Sequence, residues 1–193
     1  MKSLKILLVL IMSLSSPALA ETYKGYAIPD YDVVEEIGDF EIRNYAPFTE
    51  ARVRRTGTQT NAAGSGFRAL AGYIFGGNEA GIKLAMTAPV VQEPSDSSWT
   101  VSFVLPKDIT PNQAPTPNAE DIEIITRPAT KMAVIRFAGF WNGPRLLQYE
   151  TVLREALAKH QITAVGGPVY MFYDDPFTLP WQRRNEVGLR IKD

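Results

Sequence analysis

Two stretches of this chain carry the same order of elements at one fixed distance. Ile42 and Ile124 are 82 residues apart, and Ala62 and Pro144 are 82 residues apart as well. Around each anchor the pattern reads strand, strand, helix, strand, strand. A constant offset of this kind points to a duplicated supersecondary unit. Identity between the halves is weak, so the pattern carries this reading and not the letters. In the first half, Tyr31 to Ile37 and Phe40 to Tyr45 flank a Gly38-Asp39 turn and read as a hairpin, with Phe40 and Ile42 on one side and Glu41 and Arg43 on the other. Phe48 to Thr56 is a further strand, and Asn61 to Phe75 places Phe67, Leu70, Ala71 and Ile74 at helical spacing. Gly76-Gly77-Asn78 stops that helix, because glycine and asparagine tolerate the left-handed conformation. Pro89 to Val91 and Trp99 to Leu105 read as strands.

The second half starts after Lys107 to Asp121, a stretch rich in Pro, Asn and Asp that reads as an exposed loop. Ile122 to Thr126 and Met132 to Phe137 are strands. Pro144 to His160 is a helix with Asn142 as its cap, and Val169 to Tyr173 and Glu186 to Ile191 complete the pattern. The eight strands of the two repeated units, with two helices, indicate an α+β architecture. One face of an antiparallel sheet would lie under the helices and the other would line a groove. Two pseudo-symmetric halves leave a cleft where they meet, and such junctions are preferred ligand sites.

Composition narrows the function. The first twenty residues have the form of a cleaved signal peptide: Lys2 and Lys5, an apolar run from Ile6 to Leu14, Pro17, then Ala18-Leu19-Ala20. The run is shorter than the roughly 20 residues that span a bilayer. The expectation is a periplasmic or secreted protein of one domain, residues 21–193, without a stable membrane anchor. Removing Lys2 and Lys5 from the 20 basic residues leaves 21 acidic ones in excess by three, which does not suit a nucleic-acid partner. The chain has no cysteine, which excludes disulfides, thioether-linked haem, iron–sulfur clusters and a thiol nucleophile.

Enzyme motifs are sparse. There is no His-Glu-x-x-His, phosphate-binding loop or Gly-x-Ser-x-Gly, and Gly64-Ser65-Gly66 lacks the strand context of a dinucleotide fingerprint. His160, the one histidine, falls in the last turn of the second helix. There a cation suits the helix dipole, and a ligand role is the weaker reading. Met86, Met132 and Met171 lie in or beside apolar strands and read first as packing. Many rings, among them Phe67, Tyr73, Phe140, Trp141, Tyr173 and Trp181, suit a flat apolar ligand. Arg68, Lys83, Arg183 and Arg184 are candidates to pair with ligand carboxylates, against an ordinary surface role. Glu186 alternates against Val187, Leu189 and Ile191, so it faces the groove if they face the helices. There it binds a cation, acts as an acid or base, or pairs with an arginine; the pair is the favoured reading.

The motif Phe67-x-x-Leu70-x-x-Tyr73-Ile74-x-Gly76-x-Asn78 followed by Lys83-x-x-Met86-Thr87-x-Pro89-Val90 resembles the signature of the SOUL/haem-binding protein family. Phe40-Glu41-Ile42-Arg43-x-Tyr45, Phe103-x-x-Pro106, Phe137-x-Gly139 and Arg183-Arg184-Asn185-Glu186 extend the resemblance from about Tyr31 to the C-terminus. With the leader segment, it is to an exported bacterial member. The resemblance implies a distorted eight-stranded antiparallel β-barrel with two helices, built from a duplicated unit and like the bacterial effector-binding domains. It also implies non-covalent binding of haem or a related tetrapyrrole in an apolar depression beside the first helix. The implied ligand-binding residues are Phe67, Arg68, Leu70, Ala71, Ile74, Met86, Tyr173 and Glu186, and any metal ligand is unknown, with His160 a weak candidate. Two other readings stand beside it. One is a cleft binder of another flat apolar or cationic molecule with Glu186 as counter-charge. The other is a hydrolase using a cleft carboxylate, although a binding protein is favoured over an enzyme.

Overall fold

A computed structural model describes residues 22–192. The expected leader segment, residues 1–20, lies outside them. In chain order the elements are β1 (Thr22–Tyr23), β2 (Tyr26–Ala27), β3 (Tyr31–Ile37), β4 (Phe40–Tyr45), β5 (Phe48–Thr56), α1 (Gln59–Ile74), β6 (Val90–Ser95) and β7 (Ser98–Val104). There follow β8 (Ile122–Arg127), β9 (Thr130–Phe137), α2 (Gly143–Lys159), β10 (Ala164–Phe172), a short 3-10 turn at Pro180–Gln182, and β11 (Asn185–Ile191).

Nine strands form one antiparallel sheet in the order β3-β4-β9-β11-β10-β6-β7-β5-β8, curled into a half-barrel. The expected α+β class and its two helices are present. Strands β4 to β7 and β8 to β11 are the two copies of the unit. If each strand is exchanged for its counterpart, the order β4-β9-β11-β10-β6-β7-β5-β8 reads the same in reverse. The pseudo-two-fold axis therefore passes between β10 and β6, where Tyr170 pairs with Gln92. Eight strands belong to the duplicated units. The ninth, β3, is added at one edge by the hairpin that precedes the first unit.

The helices lie on one face of the sheet. Helix α1 packs on β5 and β7, and α2 on β9, β10 and β11. Alternation along each strand produces this arrangement. Ala51 and Val53 of β5 join Leu70, Tyr73, Ile74 and Val101 in the core beneath α1. Val187, Leu189 and Ile191 of β11 join Leu146, Leu153 and Leu157 beneath α2. The other face carries a third core of Tyr45, Val91, Met132, Val134, Val169, Met171 and Tyr173, topped by Ile28 and Ala88. The groove expected there is thus filled by apolar side chains.

Helix α1 owes its closeness to the sheet to small residues. A Cβ on Gly66 would lie 2.7 Å from Val101 Cγ2, so only glycine allows that approach. Thr58 caps its start by accepting from Asn61 N. At its end Gly76 has φ +112°, and a Cβ on Gly77 would meet Gly72 O at 2.7 Å. The Asn78 side chain then donates to Tyr73 O (3.1 Å) and Ile82 O (2.8 Å) and accepts from Ile82 N (3.1 Å). The Gly-Gly-Asn stop is thus a built turn, and it aims the following segment, through Met86 and Thr87, back along the helix. Among the described residues no helix is long and apolar enough to cross a membrane.

Candidate functional site

A depression of about 540 Å³ lies beside α1. One wall is the outer stripe of the helix: Thr60, Ala63, Gly64, Phe67 and Arg68. These positions recur at three- and four-residue steps, so they share one face. Met86 to Ala88, Val90 and Gln92 continue the lining, and Trp141 with Phe172 to Pro176 supplies the rest, with Tyr26. Phe67 is 42% exposed and meets Phe103 edge-on at 5.2 Å, which holds its ring against the sheet while leaving a side free. Trp141 packs on Phe172 at 4.6 Å between centroids. Because Ala63 and Gly64 are small, the space reaches close to the helix backbone. A Cβ on Gly64 would have only Arg68 Nη1 near it, at 3.8 Å, so the Arg68 side chain lies back over this glycine.

Four of the eight expected ligand-binding residues line this depression: Phe67, Arg68, Met86 and Tyr173. The other four lie elsewhere. Leu70 and Ile74 are buried in the core beneath α1, and Ala71 packs against the same cluster. The physical reason is that the most apolar stripe of an amphipathic helix turns to the sheet, so the stripe that faces a ligand is the weaker one. Thr60, Ala63 and Gly64 were missed for that reason. Trp141, Phe172 and Asp174 to Pro176 arrive from the second half of the chain, a juxtaposition with no local signal. His160 caps α2 as an exposed residue outside the depression, its ring 6.2 Å from that of Phe40. Lys83 is exposed and also outside the lining, while Arg183 donates to Thr178 O and Pro176 O and so braces the loop at the rim.

Glu186 faces away from the helices, as its alternation requires, and it is fully buried. Arg43 donates to both its oxygens, at 2.9 and 3.1 Å, Arg184 Nε donates at 2.9 Å, and the Tyr173 hydroxyl donates at 2.8 Å. Burial by itself would raise its pKa. The charges of Arg43 and Arg184 outweigh burial and hold the carboxyl below its ordinary range. Burial pushes the Tyr173 phenol well above its own ordinary range, with the Glu186 charge adding to this. The favoured pairing with arginine is what forms. The reading of Glu186 as counter-charge for a cationic ligand is corrected: its oxygens are taken, and the space nearby is only about 30 Å³. A hydrolytic acid on this carboxylate would need the opposite pKa shift.

A second polar cluster lies on the same face in the other half. Arg127 donates to Glu50 at 2.9 and 3.0 Å and also to Glu93, which Arg190 bonds from β11. The concavity there, about 320 Å³, is lined by these paired charges. Burial raises the Glu50 pKa, with Arg127 opposing. Its two oxygens are nevertheless both engaged by that arginine.

The fold is an α+β half-barrel built from a duplicated unit, and sequence comparison assigns the chain to a family. The family model described as "SOUL heme-binding protein" matches residues 26–190, and the chain belongs to that family. It is 32% identical to "Heme-binding protein 2" of Mus musculus over 183 residues, covering 84% of this chain and 82% of the mouse protein. It is 33% identical to "Heme-binding protein 2" of Homo sapiens over 186 residues, covering 88% and 85% of the two chains. Among solved structures the EcmrR C-terminal domain superposes with a TM-score of 0.59 at 11% identity, covering 84% of this chain and 98% of that domain. This last likeness is one of fold. These two sequence relatives are mammalian, and the expected resemblance to an exported bacterial member is not borne out.

Proposed function

We propose that this protein binds haem or a related tetrapyrrole, without covalent attachment, in the depression beside α1. The observation that carries the proposal is the depression itself: about 540 Å³, walled by Phe67, Met86, Val90, Trp141 and Phe172. That volume is in the range of roughly 300–1,000 Å³ typical of small-molecule sites. Membership of the family, and relatives named for haem binding, supply the chemical class.

The residues present fit such a ligand. A flat apolar ring gains most from burial against aromatic faces, and the lining offers Phe67, Trp141 and Phe172. The carboxylates of a porphyrin need a cation at the rim. Arg68 stands there and makes no salt bridge among the described residues. The glycine at position 64 lets a flat molecule approach the helix backbone. When bound, haem would supply whatever iron chemistry the protein performs, while this chain's residues hold the ring and exclude water from one face. The leader segment supports a periplasmic or secreted setting for this binding.

The test is an absorption titration of the chain from Glu21, which contains every described element, with hemin and with iron-free protoporphyrin. Wild type should saturate with both. Phe67→Ala should weaken both by about tenfold, the equivalent of roughly 1.4 kcal/mol of lost ring contact. Arg68→Ala should weaken binding of the dicarboxylate but not of its dimethyl ester. Absence of saturation with either ring overturns the proposal.

A further inference from the structure

The depression holds several side chains able to bond a metal, and most of them are already engaged. The Tyr173 hydroxyl donates to Glu186 at 2.8 Å within the core. Asp174 accepts from Tyr23 Oη at 3.0 Å, Lys24 Nζ at 2.5 Å and Arg184 N at 2.6 Å. Asp175 accepts from the backbone of Phe177 at 2.7 Å and of Thr178 at 3.0 Å, and so shapes the rim loop. Thr87 donates to Val104 O, and Gln92 accepts from Gln59. The lining holds no histidine or cysteine. Of the ligand types that haem iron takes, Tyr26 and Met86 are left. Tyr26 and Met86 are each 40% exposed, and neither side chain makes a hydrogen bond among the described residues.

These two are brought together by the backbone. An isolated parallel bridge joins Ala27 to Thr87, and Ala88 N donates to Ala27 O at 3.0 Å. One residue back along each segment, Tyr26 and Met86 stand at matching positions on the same pocket. Met132 and Met171, by contrast, are 6% and 3% exposed and fill the third core. A thioether left in the open at a pocket wall, beside a free phenol, is a different use of the residue.

From this juxtaposition we infer that Tyr26 and Met86 form the iron-facing edge of the site, with Tyr26 the ligand to ferric iron and Met86 the ligand to ferrous iron. The inference rests on the tetrapyrrole reading above. Phenolate oxygen and thioether sulfur are both established haem ligands. Tyr26 would hold ferric iron as the phenolate, its proton passing to solvent. Met86, the softer and uncharged donor, would hold the iron once an external one-electron reductant such as dithionite has reduced it, with the phenol reprotonated from water.

The experiment compares wild type, Tyr26→Phe and Met86→Leu by absorption and electron paramagnetic resonance, with hemin before and after dithionite and with iron-free protoporphyrin. Tyr26→Phe should change the ferric spectrum and weaken hemin by about tenfold, leaving the iron-free ring within about twofold of wild type. Met86→Leu should leave the ferric spectrum unchanged and alter the ferrous one. A ferric spectrum of Tyr26→Phe that superimposes on wild type, with both rings still bound, overturns this inference and leaves the binding site standing. Failure of wild type to bind either ring removes the site and the inference together.

Discussion

At the scale of single residues, Glu186 shows how a buried charge is held and what it costs to disturb. Its position opposite Val187, Leu189 and Ile191 was legible from strand alternation, and so was Arg184 two residues away. Arg43 was not. It reaches Glu186 because β4 and β11 both flank β9, a register that only the folded sheet sets. Removing one partner of a buried pair leaves the others uncompensated, so Glu186→Gln should cost about 3–5 kcal/mol in urea unfolding. The pH dependence has a definite sign. A carboxyl whose folded pKa lies below its unfolded value stabilises the fold fully above the carboxylate range. That contribution is lost as pH falls through the folded pKa. Wild type should therefore lose more stability than Glu186→Gln on going from about pH 5 to about pH 3. Glu50, raised by burial, acts in the opposite sense but is common to both proteins. Equal acid sensitivity of the two would contradict the assignment of Glu186 as the acid-labile member of the cluster.

At the scale of elements, helix α1 serves two surfaces, and only one was readable. Its limits were foreseen to within two residues, and the Gly-Gly-Asn stop was foreseen for its conformational reason. The core stripe of Leu70 and Ile74 also stands out in the sequence, because periodicity reports burial. Periodicity does not report which of the remaining stripes faces a pocket, since that depends on what β10 and the loop after it bring opposite. Two glycines separate the surfaces. Gly66→Ala places a methyl 2.7 Å from Val101 in a strand that cannot yield, and should cost about 1–3 kcal/mol. Gly64→Ala meets only the flexible end of Arg68, so removing a helical glycine should raise stability by up to about 1 kcal/mol. Thermal unfolding of both variants checks the pair. A destabilised Gly64→Ala would mean that the outer stripe is more tightly packed than the depression requires.

At the scale of the whole molecule, duplication explains both the sheet and the place of the site. The eight strands are symmetric about the β10–β6 junction, but the side chains on the groove face are not. One half carries Arg43, Glu186 and Arg184, the other Glu50, Arg127 and Glu93, and Met132, Met171, Val91 and Val169 fill the space with Ile28 above. The sequence could reveal the repeat, because hydrophobic pattern and loop position survive divergence. It could not reveal that the groove was closed, because its closure depends on packing between distant strands and the segment before β3. With the apolar centre of the groove filled and the concavity at Glu50 and Arg127 lined by paired charges, the apolar room for a ligand lies beside α1. The most direct measurement is a hemin titration of Gly64→Leu against wild type, with thermal unfolding of each. If the depression is the site, the variant keeps its folding transition and its hemin affinity falls by about tenfold or more, as the leucine fills the wall. A folded Gly64→Leu that binds hemin as wild type does would place the ligand elsewhere on the protein.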